Sequence, residues 1–321
     1  IMNEKIGHNF NEENQSILNN VEKQLILARK LEGVYDNRPD LDSFVGAMKG
    51  TKYEDKYTLE SIKKDEEYVE DRRKKIDESN SSMGRQNLDN KEIGFQLSEM
   101  MQAMIVDRLN NHWFKDFQAV MTSDFDDLKV GIDAVLKHEK GTYLGAAFDF
   151  TVTNQDKIIY QKLKREWDDH VVKGSIPTVK YFEDPDTKEK KSLLVPKFII
   201  GASKKDVEEM ANAYVNDDSE TLENHPLKYV ILQQIEEQLQ TVLDYHETNQ
   251  HNEKLAFAKK QYEAIQKLLR IMKNDIHIDE NMNVDLHEYS KSNKALDMMR
   301  RFRIMRQRKE DMPDEMDEKK K

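Results

Sequence analysis

Asp133 and Asp149 are the two residues whose spacing points most directly to chemistry. They sit in SDFDDLKVGIDAVLKHEKGTYLGAAFDFTVT, residues 123–153. Two β-rich runs, Val130–Lys137 and Tyr143–Thr153, flank a polar segment containing Gly141, the pattern of antiparallel strands joined by a turn. A turn centred near Gly141 sets Asp133 opposite Asp149, and directly opposed residues share a face. Carboxylates roughly 5 Å apart repel unless one takes a proton or a cation lies between them, so the pair suits a hard divalent metal. Acids on the solvated face of a hairpin are an equally ordinary arrangement, and a one-residue slip would separate these two. A divalent ion held by carboxylates can activate water and neutralise a leaving oxygen, the two needs of phosphodiester hydrolysis. Magnesium takes only one or two protein carboxylates, so Asp133 and Asp149 suffice as its direct ligands.

The elements that must position these acids follow from the change in residue pattern along the chain. Residues 9–78 are helical and charged, with Ile17, Val21, Leu25 and Leu31 near helical spacing and a second helix over Tyr57–Glu78. SNSSMGRQNLDN, residues 79–90, marks a linker or exposed loop, so residues 1–90 form a helical N-terminal extension that could be an accessory hairpin. Residues 91–246 alternate helix and strand. The expected order is helix 93–112, strands 117–121, 130–137 and 143–153, helix 156–170, strands 177–182 and 193–201, and helices 204–215 and 226–246. Ser203 with Asp206 makes a helix start, and Pro226 suits a first helical turn. Residues 247–321 form a helical C-terminal extension with a polar interruption near 274–294, a basic run and a charged tail. The fold class is therefore α/β, a mixed central sheet with flanking helices.

A leading helix bearing Glu99 in FQLSEMMQAM, a hairpin bearing Asp133 in VGIDAVL, and an apolar strand bearing Asp149 in GAAFDFTVT are followed by a helix and another strand. In that order the segment 92–201 resembles the PD-(D/E)XK nuclease core, the restriction-endonuclease-like fold. The resemblance implies that the acids hold Mg2+ or Mn2+ beside a scissile phosphate, with Glu99 as a third ligand or an orienter of bound water. It also implies a lysine two residues after the second acid. Here that position is Thr151, which cannot carry positive charge. Some members of the superfamily draw the lysine from the following helix, which nominates Lys157 or Lys164; others have lost catalysis. The stretch is also similar to uncharacterised bacterial proteins. Glu99 lies at the edge of an apolar helix face, where a glutamate is commonly a solvated rim residue, and Asp126 and Asp127 could reach the site or serve as turn formers.

Composition narrows the alternatives. The 321 residues carry no cysteine, which removes disulfides, thiolate metal sites and cysteine nucleophiles. The nine histidines are dispersed without zinc spacing, and neither a phosphate-binding glycine loop nor a G-x-S-x-G turn occurs. The run from Asp279 begins like a calcium loop but has Val284 and Ser290 where glycine and glutamate belong. A net charge of −11 argues against a generally basic nucleic-acid coat, while a local basic groove is compatible with it. No run of ~20 apolar residues occurs, so no membrane span and a cytoplasmic location are expected. In KALDMMRRFRIMRQRK, residues 294–309, Leu296, Met299, Phe302 and Met305 form an apolar stripe flanked by arginines. Arg300, Arg301 and Arg303 are its candidate phosphate contacts; the other reading is a terminal amphipathic helix with solvated arginines. The expected function is a metal-dependent nuclease acting on DNA or RNA, or a degenerate relative that binds nucleic acid. The alternative is a noncatalytic scaffold making protein contacts through its charged helices.

Overall fold

The computed structural model describes residues 21–82, 98–110, 113–138, 144–153, 155–249, 252–275 and 286–308. Its centre is a four-stranded mixed sheet: β1 (Phe117–Met121), β2 (Ala134–His138), β3 (Leu144–Val152) and β6 (Lys197–Ala202), in the order β1-β2-β3-β6. β1, β2 and β3 run antiparallel in succession, and β6 lies parallel to β3. A parallel neighbour requires a crossover, supplied here by α5 (Asp156–Glu166), a π-helical turn (Trp167–Val171), and a separate hairpin of β4 (Thr178–Glu183) and β5 (Lys190–Leu194).

Two strand assignments made from sequence need correction. Val130 and Ile132 are outside the strand, because residues 124–130 fold as a short helix, α4 (Asp124–Val130). The Ser123 side chain accepts from the Asp126 N–H at one end, and Gly131 closes the other end at φ 70°. A helical turn capped at both ends outweighs the β preference of one valine. Residues 193–201 are likewise not one strand. Pro196 interrupts the run, so Lys190–Leu194 pairs with β4 while Lys197–Ala202 joins β3. The turn near Gly141, residues 83–90 of the expected linker and the charged tail lie outside the described residues.

Helices cover the sheet. α1 (Val21–Tyr35), a helix over 98–110 (α3), α5, α6 (Lys204–Val215), α8 (Leu227–Thr248), α9 (Glu253–Asp275) and α11 (Lys294–Arg308) all contribute to one apolar core. Leu27 and Leu31 of the N-terminal extension and Met298, Met299 and Phe302 of the C-terminal one are buried in it. Both extensions are thus part of the same packing unit as the sheet. α7 (Ser219–Glu223) and α10 (Leu286–Ser292) are short connectors.

The N-terminal segment is anchored a second time. Phe44 and Tyr57, with Ile62 of α2 (Leu59–Ser82), pack on Phe125 and Tyr181 in a smaller core. The Tyr57 hydroxyl donates to the Lys180 carbonyl at 2.7 Å and the Tyr181 hydroxyl to Asp65 at 2.6 Å. This anchoring carries Arg38 and Arg73 to the N-terminal end of α4. No described helix is long and apolar enough to cross a membrane.

Candidate active site

The β2/β3 register ends at Ala134 paired with Phe148, and Asp133, one residue before β2, lies beside the Asp149 segment of β3. The Asp133 N–H donates to the Phe148 carbonyl at 2.8 Å, and its Oδ2 accepts from the Phe150 N–H at 2.5 Å. Both side chains are buried, with 4% of Asp133 and 3% of Asp149 exposed. Two buried carboxylates in one place cannot both stay ionised without compensation. Burial, then the charges of Asp127 and Asp149, push the Asp133 carboxyl well above the usual range, against the pull of Lys162. Burial also raises the pKa of Asp127, while its side-chain hydrogen bond with Asp133 lowers it. Asp127 is therefore a third member of the acid cluster. Asp126, its neighbour, points the other way: buried, it accepts from the Lys180 N–H at 2.7 Å and the Tyr181 N–H at 2.9 Å, tying α4 to β4.

The cation that reaches Asp149 is Lys162. Its Nζ bonds Asp149 Oδ1 and lies 3.3 Å from the Phe150 carbonyl. Lys157 and Lys164, nominated from sequence, do not fill this place, and Lys164 pairs instead with Asp168 at 2.8 Å. The reason is helical geometry. α5 buries Ile159, Tyr160, Leu163 and Glu166. At about 100° per residue Lys162 falls roughly 60° from Ile159, whereas Lys157 and Lys164 fall about 140–160° away from it. Arg165 Nη2 stands 3.6 Å from Asp149 Oδ2, an oxygen that has no hydrogen-bond donor. Thr151 is buried on β3.

At the other end of the cluster Arg38 Nη1 lies 2.7 Å from Asp124 and 3.9 Å from Asp127, while Arg73 Nη2 lies 2.7 Å from Asp124. Glu99, on α3, belongs to this end. Its electrostatic neighbours are Arg38, Asp127, Arg73 and Asp124, and burial raises its pKa. Neither arginine was foreseen, since both lie in a helical extension remote in sequence from the acids.

Behind Asp149, Glu166 and Lys197 form a buried ion pair at 3.0 Å, and the Lys197 Nζ also donates to the Val130 carbonyl at 3.1 Å. This pair locks the end of α5 to β6 and to the last residue of α4, holding Lys162 in register with the acids.

The α11 arginines are engaged within the fold. Arg300 and Arg303 pair with Glu237 of α8 at 3.4 and 3.3 Å, Arg303 also with Asp244 at 3.6 Å, and Arg301 with Asp156 and Asp297. These pairs attach α11 to α8 and α5. The physical cause is the acidic surface those helices present to the basic flank of an apolar stripe already buried in the core.

Carboxylate oxygens suit a hard cation, and the donor-free Asp149 Oδ2 leaves coordination capacity at the pair. Among the described residues no group of three His, Cys, Asp or Glu side chains is gathered closely enough to hold a metal ion. Magnesium, which retains several waters, needs only one or two. Comparison of the chain with protein-family models, with curated proteins and with solved structures finds no match.

Proposed function

We propose that the Asp127–Asp133–Asp149 cluster is a phosphodiester-cleaving centre that works with Mg2+ or Mn2+ on nucleic acid, in a core of the PD-(D/E)XK type. The observation that carries the reading is the burial of the Asp133 and Asp149 carboxyls beside one another, with the Lys162 amine on the second of them. The sequence of elements is compatible with it: helix, strand, short helix, an antiparallel strand pair with one acid just before it and one on its second strand, helix, a separate hairpin, and a strand parallel to the second acid's strand. A divalent ion would polarise the phosphoryl oxygen and lower the pKa of the attacking water. Asp133 and Asp149 would hold it, with Asp133 giving up its proton to do so. Lys162, released from Asp149, would place positive charge beside the attacked phosphate, where charge grows in the transition state. Glu99 and Asp127 would orient solvent at the rim.

A second reading has its own support. Lys162, Arg165 and Arg38 already compensate the acids, and a cluster balanced in this way can be a structural ion network in a noncatalytic relative or scaffold. Calorimetric titration with manganese separates the two readings. The proposal expects binding by the wild type that Asp149→Asn weakens, together with manganese-dependent cleavage of DNA or RNA that Asp133→Ala abolishes. Absence of manganese binding, or equal binding by Asp149→Asn, removes it in favour of the structural network.

A further inference from the structure

Behind the acid site, where the end of α5, the start of β6, α8 and α9 converge, the core leaves a cavity of about 30 Å³. Every residue in its wall is buried. Glu166, Lys197, Gln238, Thr241 and Tyr262 are the polar groups of a wall that is otherwise mainly apolar. Two of them carry an unmatched atom. The Tyr262 hydroxyl, on a side chain 1% exposed, has no hydrogen-bond partner among the described residues, and neither has Oε1 of Glu166, which is 7% exposed.

The surroundings hold both groups in place. The Tyr262 ring is wedged edge-on against Phe198 and His246, at centroid distances of 6.3 and 5.8 Å. Glu166 is tied through Oε2 to the Lys197 amine at 3.0 Å, and the Val130 carbonyl holds that amine at 3.1 Å. The other polar groups are committed elsewhere. Gln238 gives its amide to both backbone groups of Ile199, and the Thr241 hydroxyl donates to the Glu237 carbonyl at 2.7 Å, keeping lone pairs with which to accept. Burial, then the Glu166 charge, raise the Tyr262 pKa well above the phenol range, so its hydroxyl retains a proton to donate.

We infer that the cavity is a hydration site, in which an internal water accepts from the Tyr262 hydroxyl and donates to Glu166 Oε1, with Thr241 Oγ1 as a further acceptor. The size agrees. A buried water needs about 10–15 Å³ of such space and two to four polar partners, so this cavity admits one or two waters and no organic ligand. A cation is disfavoured because the Lys197 amine already brings positive charge to the same carboxylate. An apolar occupant would leave both oxygens unpaired. The water joins α9 to α5 and, through the Glu166–Lys197 pair, to β6. It is a link in the wall behind Asp149 that holds whatever chemistry the acids perform.

The experiment compares the full wild-type chain with Tyr262→Phe, which deletes the hydroxyl and keeps the ring. Oxygen-17 and deuteron relaxation dispersion of the solvent signal counts waters held longer than the protein's tumbling time, and the variant should hold at least one fewer. Its thermal midpoint should fall by about 2 °C or more, the loss of roughly one net hydrogen bond in a chain of this size. In a dry cavity the hydroxyl is an unpaired buried group, so its removal would raise the midpoint and leave the dispersion unchanged. A midpoint at or above the wild type's, or an unchanged dispersion, therefore overturns the inference. Crystals of the wild type, which need no variant to fold, should show a water within about 2.5–3.0 Å of both Tyr262 Oη and Glu166 Oε1. Density that is empty there, or protein groups bonded to the two oxygens in its place, overturns it equally.

Discussion

The carboxyl of Asp133 is buried beside that of Asp127, and burial together with the charges of Asp127 and Asp149 raises its pKa well above the usual range. A raised pKa at one acid eases the repulsion among three buried aspartates. It makes the site sensitive to both pH and substitution.

Stability should depend on pH through Asp133. Its folded pKa lies well above its unfolded value, so its contribution is fully present below the ordinary carboxylate pKa of about 4 and is lost as pH rises towards the folded pKa. Asp133→Asn imitates the protonated acid, keeping an oxygen for the Phe150 N–H and a donor for Asp127. Urea unfolding across pH 4 to 8 should show the variant's advantage growing with pH and vanishing near about pH 4. An advantage independent of pH would contradict the proton on Asp133.

Among the lysines of α5, only Lys162 should matter to turnover. If the centre cleaves nucleic acid, Lys162→Ala should lower the single-turnover rate with manganese by about 10²-fold or more, while Lys157→Ala and Lys164→Ala stay within about threefold. Equal losses for all three would show that position on the helix is irrelevant.

Asp126 is expected to be structural. Asp126→Ala leaves the Lys180 and Tyr181 N–H groups unpaired beside the second core, and should cost about 2–4 kcal/mol in denaturant unfolding. Manganese affinity should be unchanged. A drop in metal affinity with stability intact would reverse the roles of Asp126 and Asp127.

The arginines of α11 should contribute modestly to stability. Arg300 and Arg303 are partly exposed and share Glu237, so each replacement by glutamine should cost about 0–1 kcal/mol, less at high salt. The salt dependence of any nucleic-acid binding should keep its slope, since these side chains are already paired within the fold. A flattened slope would return them to phosphate contact.

Gly201 reports on the seat of α11. A Cβ there would stand 2.3 Å from the Ala295 Cβ, so Gly201→Ala must push α11 away from β6, at about 1–3 kcal/mol. A thermal midpoint equal to the wild type's would mean that α11 shifts without cost.

Local chemistry made much of the framework readable from the chain alone. Strand 117–121 and helix 204–215, with its Ser203 and Asp206 capping box, lie where pattern and caps put them. The hairpin that brings Asp133 near Asp149 was legible in the same way, but the register at Asp133, which lies one residue before β2 and bonds the Phe148 carbonyl, was not. Where sequence misled, a neighbouring local signal was stronger: the caps of α4 over the β preference of Val130, and Pro196 over the apolar run around it. Other features required the tertiary structure. That Asp127 turns to the acids and Asp126 to β4, that Arg38 comes from an N-terminal helix–loop segment, and that the arginines of α11 are spent on α8 are long-range outcomes. Each is settled by which charged groups packing brings together out of water, and burial magnifies those encounters far beyond what residue order can encode.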